Sequence, residues 1–303
     1  MGSEIVRLLE WDTLADAAAR EARVRLHPAY PRAVRRFAAD TLAAGDADRL
    51  LDGLLKDSGR NAAALCAAYL HYSGGLTLPR LKELLGRFGV ASPGRARALL
   101  IYLGYLGYVE LLGAPRRGAA ALYRPTPRFL ATWREHQQVV LNAVQLVEPA
   151  LGALLARFDA PGVFETFARL ECEGFVAAAG DYDMDAPYFR VFMHHLGGIQ
   201  VSHALIAQAP GESFPPDGPI PFSVTGAARR FRVSRPQVRR ILDAAAREGL
   251  LTLDADAAAS FTPAGREAVD GFLAKQIAVL LAAAAGTVKA LPHLAETPTL
   301  KAG

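Results

Sequence analysis

Shifting the chain against itself by 142 residues lays SPGRARALLIYLGYLGYVEL, from Ser92, over SRPQVRRILDAAAREGLLTL, from Ser234. Both stretches open on Ser, carry apolar residues on one helical face and reach a Gly before a strand-like ending. Upstream, LKELLGRFGV lies over VTGAARRFRV at a shift of 143, pairing Phe88 with Phe231 and Val90 with Val233. Downstream, RPTPRFLATW lies over SFTPAGREAV at a shift of 136, pairing Thr126-Pro127 with Thr262-Pro263. The changes of shift fall between the periodic segments, where loops tolerate insertions. The chain therefore holds one unit twice, and whatever fold one copy takes the other must take as well.

The second copy reads most clearly. Thr225 can cap a helix ending near Phe231, and FRVS supplies a tight turn. Ser234 followed by Gln237 fits a capping box, in which the hydroxyl accepts a backbone N–H three residues on. Val238, Ile241, Leu242 and Ala245 then line one helical face. GLLTLDADAAASFTP fits two short strands around a turn, with Thr262 as the next cap and Pro263 at the first helical position. This order is a helix-turn-helix followed by a β-wing.

Around the repeats, helix-period patterns rich in Ala, Leu, Arg and Glu recur and strand signals are few, which predicts a mainly α chain of two winged helix-turn-helix units with small β-wings, joined and flanked by long helices. Expected helices are about 3–24, 31–43, 46–56, 60–72, 79–88, 93–106, 127–158, 162–179, 187–208, 225–231, 235–248 and 264–290. Breaks at DAPG (159–162) and APGESFPPDGPIPFS (209–223) punctuate them. The expected division is N-terminal helices over 1–58, a first winged-helix unit with its following helix over 59–160, and a second with flanking helices over 161–303.

With 51% hydrophobic residues in 303, the chain has ample material for a core. The apolar run QIAVLLAAAAGTVKALPHL is Ala-rich, short and polar at its flanks, so it reads as a buried helix with no membrane partner. The N-terminal stretch has early acids and no long apolar centre, unlike a secretory signal. Cys66 and Cys172 lack metal-ligand spacing and a His cluster, which fits a reducing cytoplasm and neither zinc nor a disulfide framework. In DYDMDAPYFRVFMHHLGG, the acids Asp181, Asp183 and Asp185 lack the Gly and distal Glu of a calcium loop, and His194 and His195 diverge on a helix. No metal is expected. The absence of P-loop, GxSxG, HExxH and dinucleotide fingerprints points away from an enzyme and from a cofactor.

The formal charge is only +4, yet basic residues are clustered. Residues 20–36 hold six Arg against one acid, 76–117 seven Lys/Arg against two, and 222–253 seven Arg against two. Such clusters are either solvated helix faces or an electrostatic footprint for phosphate.

The segments VTGAARRFRVSRPQVRRILDAAAREGLLTL and TPAGREAV, with the matching first copy, resemble the winged-helix regulators, and the long flanking helices are similar to those of MarR-type repressors. That resemblance implies a double-stranded-DNA partner, a transcriptional role more often repressive, and a single chain that either mimics a two-fold dimer or forms a homodimer. A recognition helix places its non-core face in the major groove. With Val238 inward, Arg239, Arg240, Asp243 and Arg247 point outward, with Arg235 and Gln237 at the flanks, so Arg239 and Arg240 are the expected base or phosphate contacts. Ser234 and Thr225 suit backbone phosphates, and Arg229, Arg230 and Arg232 could add charge. In the first copy Arg95 and Arg97 are the basic candidates on the helix, while Arg116 and Arg117 between Gly113 and Gly118 suit a minor groove. Ala98, Ile101 and Tyr105 replace Arg240, Asp243 and Arg247.

Two further readings stay open. Tandem winged helices also scaffold chromosome-segregation and replication-initiation complexes, and the apolar face of Ile101, Tyr102 and Tyr105 suits a protein partner. The aromatics Phe164, Phe167, Phe175, Tyr188, Phe189 and Phe192 are core material or the lining of a small-molecule effector pocket between helices.

Overall fold

A computed structural model of the chain describes residues 5–14, 16–113, 118–181, 184–254 and 258–294. After short turns at Arg7–Leu9 and Glu10–Thr13 come α1 (Ala17–Leu26), α2 (Tyr30–Ala47) and α3 (Arg49–Leu54). The first repeat comprises α4 (Ser58–Tyr72), β1 (Leu76–Thr77), α5 (Leu78–Arg87), α6 (Pro93–Tyr105), β2 (Val109–Leu111) and β3 (Leu122–Pro125). Helices α7 (Pro127–Val144), α8 (Leu151–Leu155) and α9 (Val163–Ala178) lead to the second repeat. That repeat comprises α10 (Gly198–Gln208), β4 (Ile220–Pro221), α11 (Val224–Arg230), α12 (Arg235–Arg247), β5 (Leu251–Leu253) and β6 (Ala258–Phe261), and α13 (Pro263–Ala290) follows.

The protein is mainly helical with two small three-stranded antiparallel sheets, and the repeats match element by element. Strand orders are β1-β3-β2 and β4-β6-β5, with Val109 opposite Pro125 and Leu251 opposite Phe261. The same residue types close both units. Thr126 caps α7 at the Phe129 amide and donates its hydroxyl to the Gly107 carbonyl at 2.9 Å. Thr262 caps α13 at the Gly265 amide and donates to the Gly249 carbonyl at 2.5 Å. Gly107 and Gly249 both take φ of 70°, the left-handed value that ends α6 and α12 and turns the chain into β2 and β5. Each sheet has a third strand, β1 and β4, beyond the hairpin read from the sequence. Two residues are too few to show a strand period, and Pro221 is tolerated because β4 is an edge strand.

Three expected helices are interrupted. The 127–158 segment stops at Val144, because Pro149 has no N–H to donate and its ring would meet the Gln145 carbonyl. The 187–208 segment contains a π-helical turn, Phe189–Met193, and then a break at Gly197, with φ of 84°. A Cβ on Gly198 would come within 2.3 Å of the Phe192 carbonyl oxygen, so the chain can fold back this tightly only at glycine. The 3–24 segment breaks at the extended Leu14 and restarts under an Asp16 cap on the Ala19 amide.

One continuous core joins both repeats. Helix α9 packs along α13, α2 packs against α7 and α10, and α1 packs on α13. Helix α13 is long and apolar enough to cross a membrane by length and composition, but 67% of its most apolar stretch is buried inside the protein, the pattern of the core helix expected from sequence.

Candidate nucleic-acid interface

Helix α12 is set on its unit by a buried face of Val238, Ile241, Leu242 and Ala245, as its spacing requires. Ser234 is its cap, accepting the Gln237 amide at 3.2 Å. The opposite face carries Arg235, Pro236, Arg239, Arg240, Asp243 and Arg247, all exposed. Arg239 Nε lies 3.7 Å from Asp243 Oδ1, with the two side chains 63% and 52% exposed. A pair this long and wet contributes little and leaves the guanidinium available to a stronger anion. Arg240 is steered by a 3.1 Å bond from its Nη1 to Gln237 Oε1.

Gln237 departs from expectation. Its side-chain amide does not complete a capping box but donates to the Leu196 carbonyl at 3.1 Å, tying α12 to the loop before α10, while its oxygen accepts from Arg240. Thr225 also departs, because Ser223 caps α11 by accepting the Gly226 amide at 3.0 Å. Thr225 is the second residue of that helix, exposed in its first turn.

The neighbouring arginines divide. Arg229 is exposed. Arg230 bonds the Asp46 carboxylate at 2.8 and 3.0 Å, and Arg232 bonds Asp52 at 3.1 Å, so both are tied to α2 and α3. Arg232 stands in the turn between α11 and α12 at φ of 52°, where the first copy has Gly89 at 69°. A non-glycine residue here costs about 1 kcal/mol or more. Two contacts from α3 and the turn after it offset that cost: Lys56 Nζ donates to the Phe231 carbonyl at 2.8 Å, and Asp52 receives the Arg232 guanidinium. Asp52 is buried, also accepts from the Gln200 amide, and lies 3.6 Å from Lys56. Burial holds the Lys56 ammonium below the ordinary lysine range, and Asp52 works against that.

The first copy presents a different surface. Arg95 is half-buried with Nη2 2.7 Å from Asp57 Oδ1, so this candidate DNA contact is paired within the protein. Tyr102 is not on the outward face either: the Arg60 guanidinium lies 4.6 Å from its ring centroid. Arg97 and Ala98 are exposed, as are Ile101 at 63% and Tyr105 at 85%. Arg116 and Arg117 lie outside the described residues, as does Asp183 of the acidic stretch. Among the described residues no group of three or more His, Cys, Asp and Glu could hold a metal ion. Cys66 and Cys172 are buried neighbours, and their contact and burial push the Cys172 thiol far up.

Sequence reasoning located α12 but missed the Asp52–Lys56 clasp on its turn. Its only signal was the spacing of Asp52 and Lys56 in the stretch RLLDGLLK, a pattern any solvated helix shares. Comparisons with protein-family models, curated proteins and solved structures find no match to this chain.

Proposed function

We propose that the protein is a sequence-specific double-stranded-DNA-binding regulator of transcription, a repressor by analogy with the MarR-like winged-helix proteins it resembles, and that α12 is its principal reader. The observation that carries this reading is the row of exposed arginines, Arg235, Arg239, Arg240 and Arg247, on the outward face of a Ser-capped second helix of a helix-turn-helix. Arginine pairs bidentately with the guanine edge and neutralises phosphate, and a helix of this width enters the major groove. Arg239 and Arg240 sit within the first two turns, where base contacts are made, while Ser234, Thr225 and Arg235 lie near the positive helix ends that favour phosphate. The function needs no cofactor and no bond-making chemistry: occupation of a promoter is enough.

The test is selection from random double-stranded fragments by the full chain, followed by sequencing and repeated across salt. Enrichment of one motif, with affinity falling steeply as salt rises through counterion release, supports the reading. Binding with no enriched motif, or no binding at low salt, removes it.

A second reading, a tandem winged-helix scaffold with a protein partner, is favoured by Ile101 and Tyr105, two large apolar side chains one helical turn apart on α6 that are 63% and 85% exposed. The readings are compatible if α12 meets DNA and α6 meets protein.

A further inference from the structure

Six buried side chains from four helices line one cavity of about 90 Å³: Thr41 of α2, Trp133, His136 and Gln137 of α7, Glu171 of α9 and His203 of α10. None is more than 6% exposed. Each has a buried polar atom with no hydrogen-bond partner among the described residues: Thr41 Oγ1, Trp133 Nε1, His136 Nδ1, Gln137 Oε1, Glu171 Oε2 and His203 Nδ1. A buried polar group without a partner is unfavourable, so six around one cavity concentrate a destabilisation that a bound molecule would relieve.

The lining also says what kind of molecule. A second, mainly apolar cavity of about 110 Å³ adjoins the first and shares Asn61, Phe175, Met193, Phe272 and Gln276 with it. Among the described residues neither is lined by Lys or Arg, so a phosphate or carboxylate would find no counter-cation there. Burial lowers His136 and His203 to about 4, His136 adding to the effect on His203, and raises Glu171 to about 8 against a hydrogen bond from Gln137. At neutral pH the polar wall is therefore uncharged and mixes donors with acceptors: the Trp133 N–H can only donate and Gln137 Oε1 can only accept. Aromatic side chains stand beside it, Phe37 edge-on to His203 at 5.6 Å and Trp133 against His136 at 5.2 Å.

We propose that the joined cavities bind a small uncharged aromatic molecule bearing hydroxyl or amide groups, its polar edge against Thr41, Trp133, His136, Gln137, Glu171 and His203 and its ring between Phe175 and Phe272. Their combined size is of the order that admits a single ring, since a cavity of roughly 150 Å³ holds benzene. This rests on the cavity itself and stands whether or not α12 reads DNA.

The test uses the full chain with four probes, phenol, benzamide, benzoate and benzene, followed by calorimetry and ligand-observed NMR. Phenol and benzamide should bind at one site in the millimolar range or tighter, with benzoate and benzene each weaker by about tenfold or more. Thr41→Val, which keeps shape and removes only the hydroxyl, should weaken phenol or benzamide by about threefold to tenfold. His203→Phe, which fills the space, should abolish binding. The wild-type probe series stands on its own if His203→Phe fails to fold. Absence of phenol and benzamide binding at millimolar concentration, equal affinity for benzoate, or unchanged affinity in Thr41→Val would overturn the proposal. So would a crystal structure of a phenol-soaked protein with only ordered waters against the six groups.

Discussion

Arg95 Nη2 stands 2.7 Å from Asp57 Oδ1, and the same oxygen caps α4 by accepting the Arg60 amide at 3.1 Å. The arginine at the start of the first copy's second helix is thus a bolt between α6 and α4. Arg95→Ala should leave DNA affinity within about twofold of wild type while costing about 1 kcal/mol of stability, because Arg60 still pairs with Asp57 at 3.3 Å. Urea unfolding and a DNA titration on the same sample check both halves. A large loss of DNA affinity with unchanged stability would return Arg95 to the interface.

On α12 the expectation reverses. Arg239→Ala should cost about 1–3 kcal/mol of DNA affinity and relax preference at one base position, with unfolding hardly changed, since the side chain is 63% exposed and its pair with Asp243 is weak. Arg235→Ala, at the phosphate-favouring helix start, should weaken all sequences alike and reduce the salt slope by about 1. Equal loss across all sequences for Arg239→Ala would assign it to phosphate instead.

These contrasts separate local features of the sequence from features that depend on distant partners. Caps at Ser234, Thr126 and Thr262, and the face of Val238, Ile241 and Leu242, depend on neighbours a few residues away, so they are legible in the string. The repeat made the matching turns legible too. What escaped depends on distant partners. Asp57 lies 38 residues from Arg95, and Asp52 lies 180 from Arg232. Arg97 and Arg95 look alike in sequence, and only the approach of α4 ties one and leaves the other exposed. The polar cavity escaped for the same reason: Thr41, His136, Glu171 and His203 are single polar residues on otherwise apolar faces, and nothing local says that they meet.

The clasp formed by Asp52 and Lys56 should behave as a unit. Asp52→Ala leaves the buried Lys56 ammonium, still bonded to the Phe231 carbonyl, without its counter-charge and the Gln200 amide without its acceptor, and should destabilise the protein by about 3–5 kcal/mol. Adding Lys56→Met removes the unpaired charge, so the double variant should be more stable than Asp52→Ala alone. Urea unfolding of the three variants decides it. A strictly additive loss would mean that the two side chains act separately.

Three buried groups set a stability maximum with respect to pH. His136 and His203 fall from 6.5 to about 4 on folding, so as pH drops through this window the unfolded chain takes up protons that the fold refuses. Stability is lost there, by up to about 3 kcal/mol per histidine, and above 6.5 these two contribute no slope. Glu171 acts oppositely, its value rising from 4.5 to about 8. Between those limits the fold keeps a proton that the unfolded chain releases, so stability from this group falls as pH rises and levels off above 8. From pH 4.5 to 6.5 two histidines outweigh one carboxyl and stability from these three groups climbs; from 6.5 to 8 only Glu171 of the three remains and their contribution declines. The unfolding midpoint should therefore peak near pH 6.5. Glu171→Gln should flatten the alkaline limb, and His203→Gln should make the acid limb shallower. A midpoint that keeps its decline from 6.5 to 8 in Glu171→Gln would show that the carboxyl is not the group responsible.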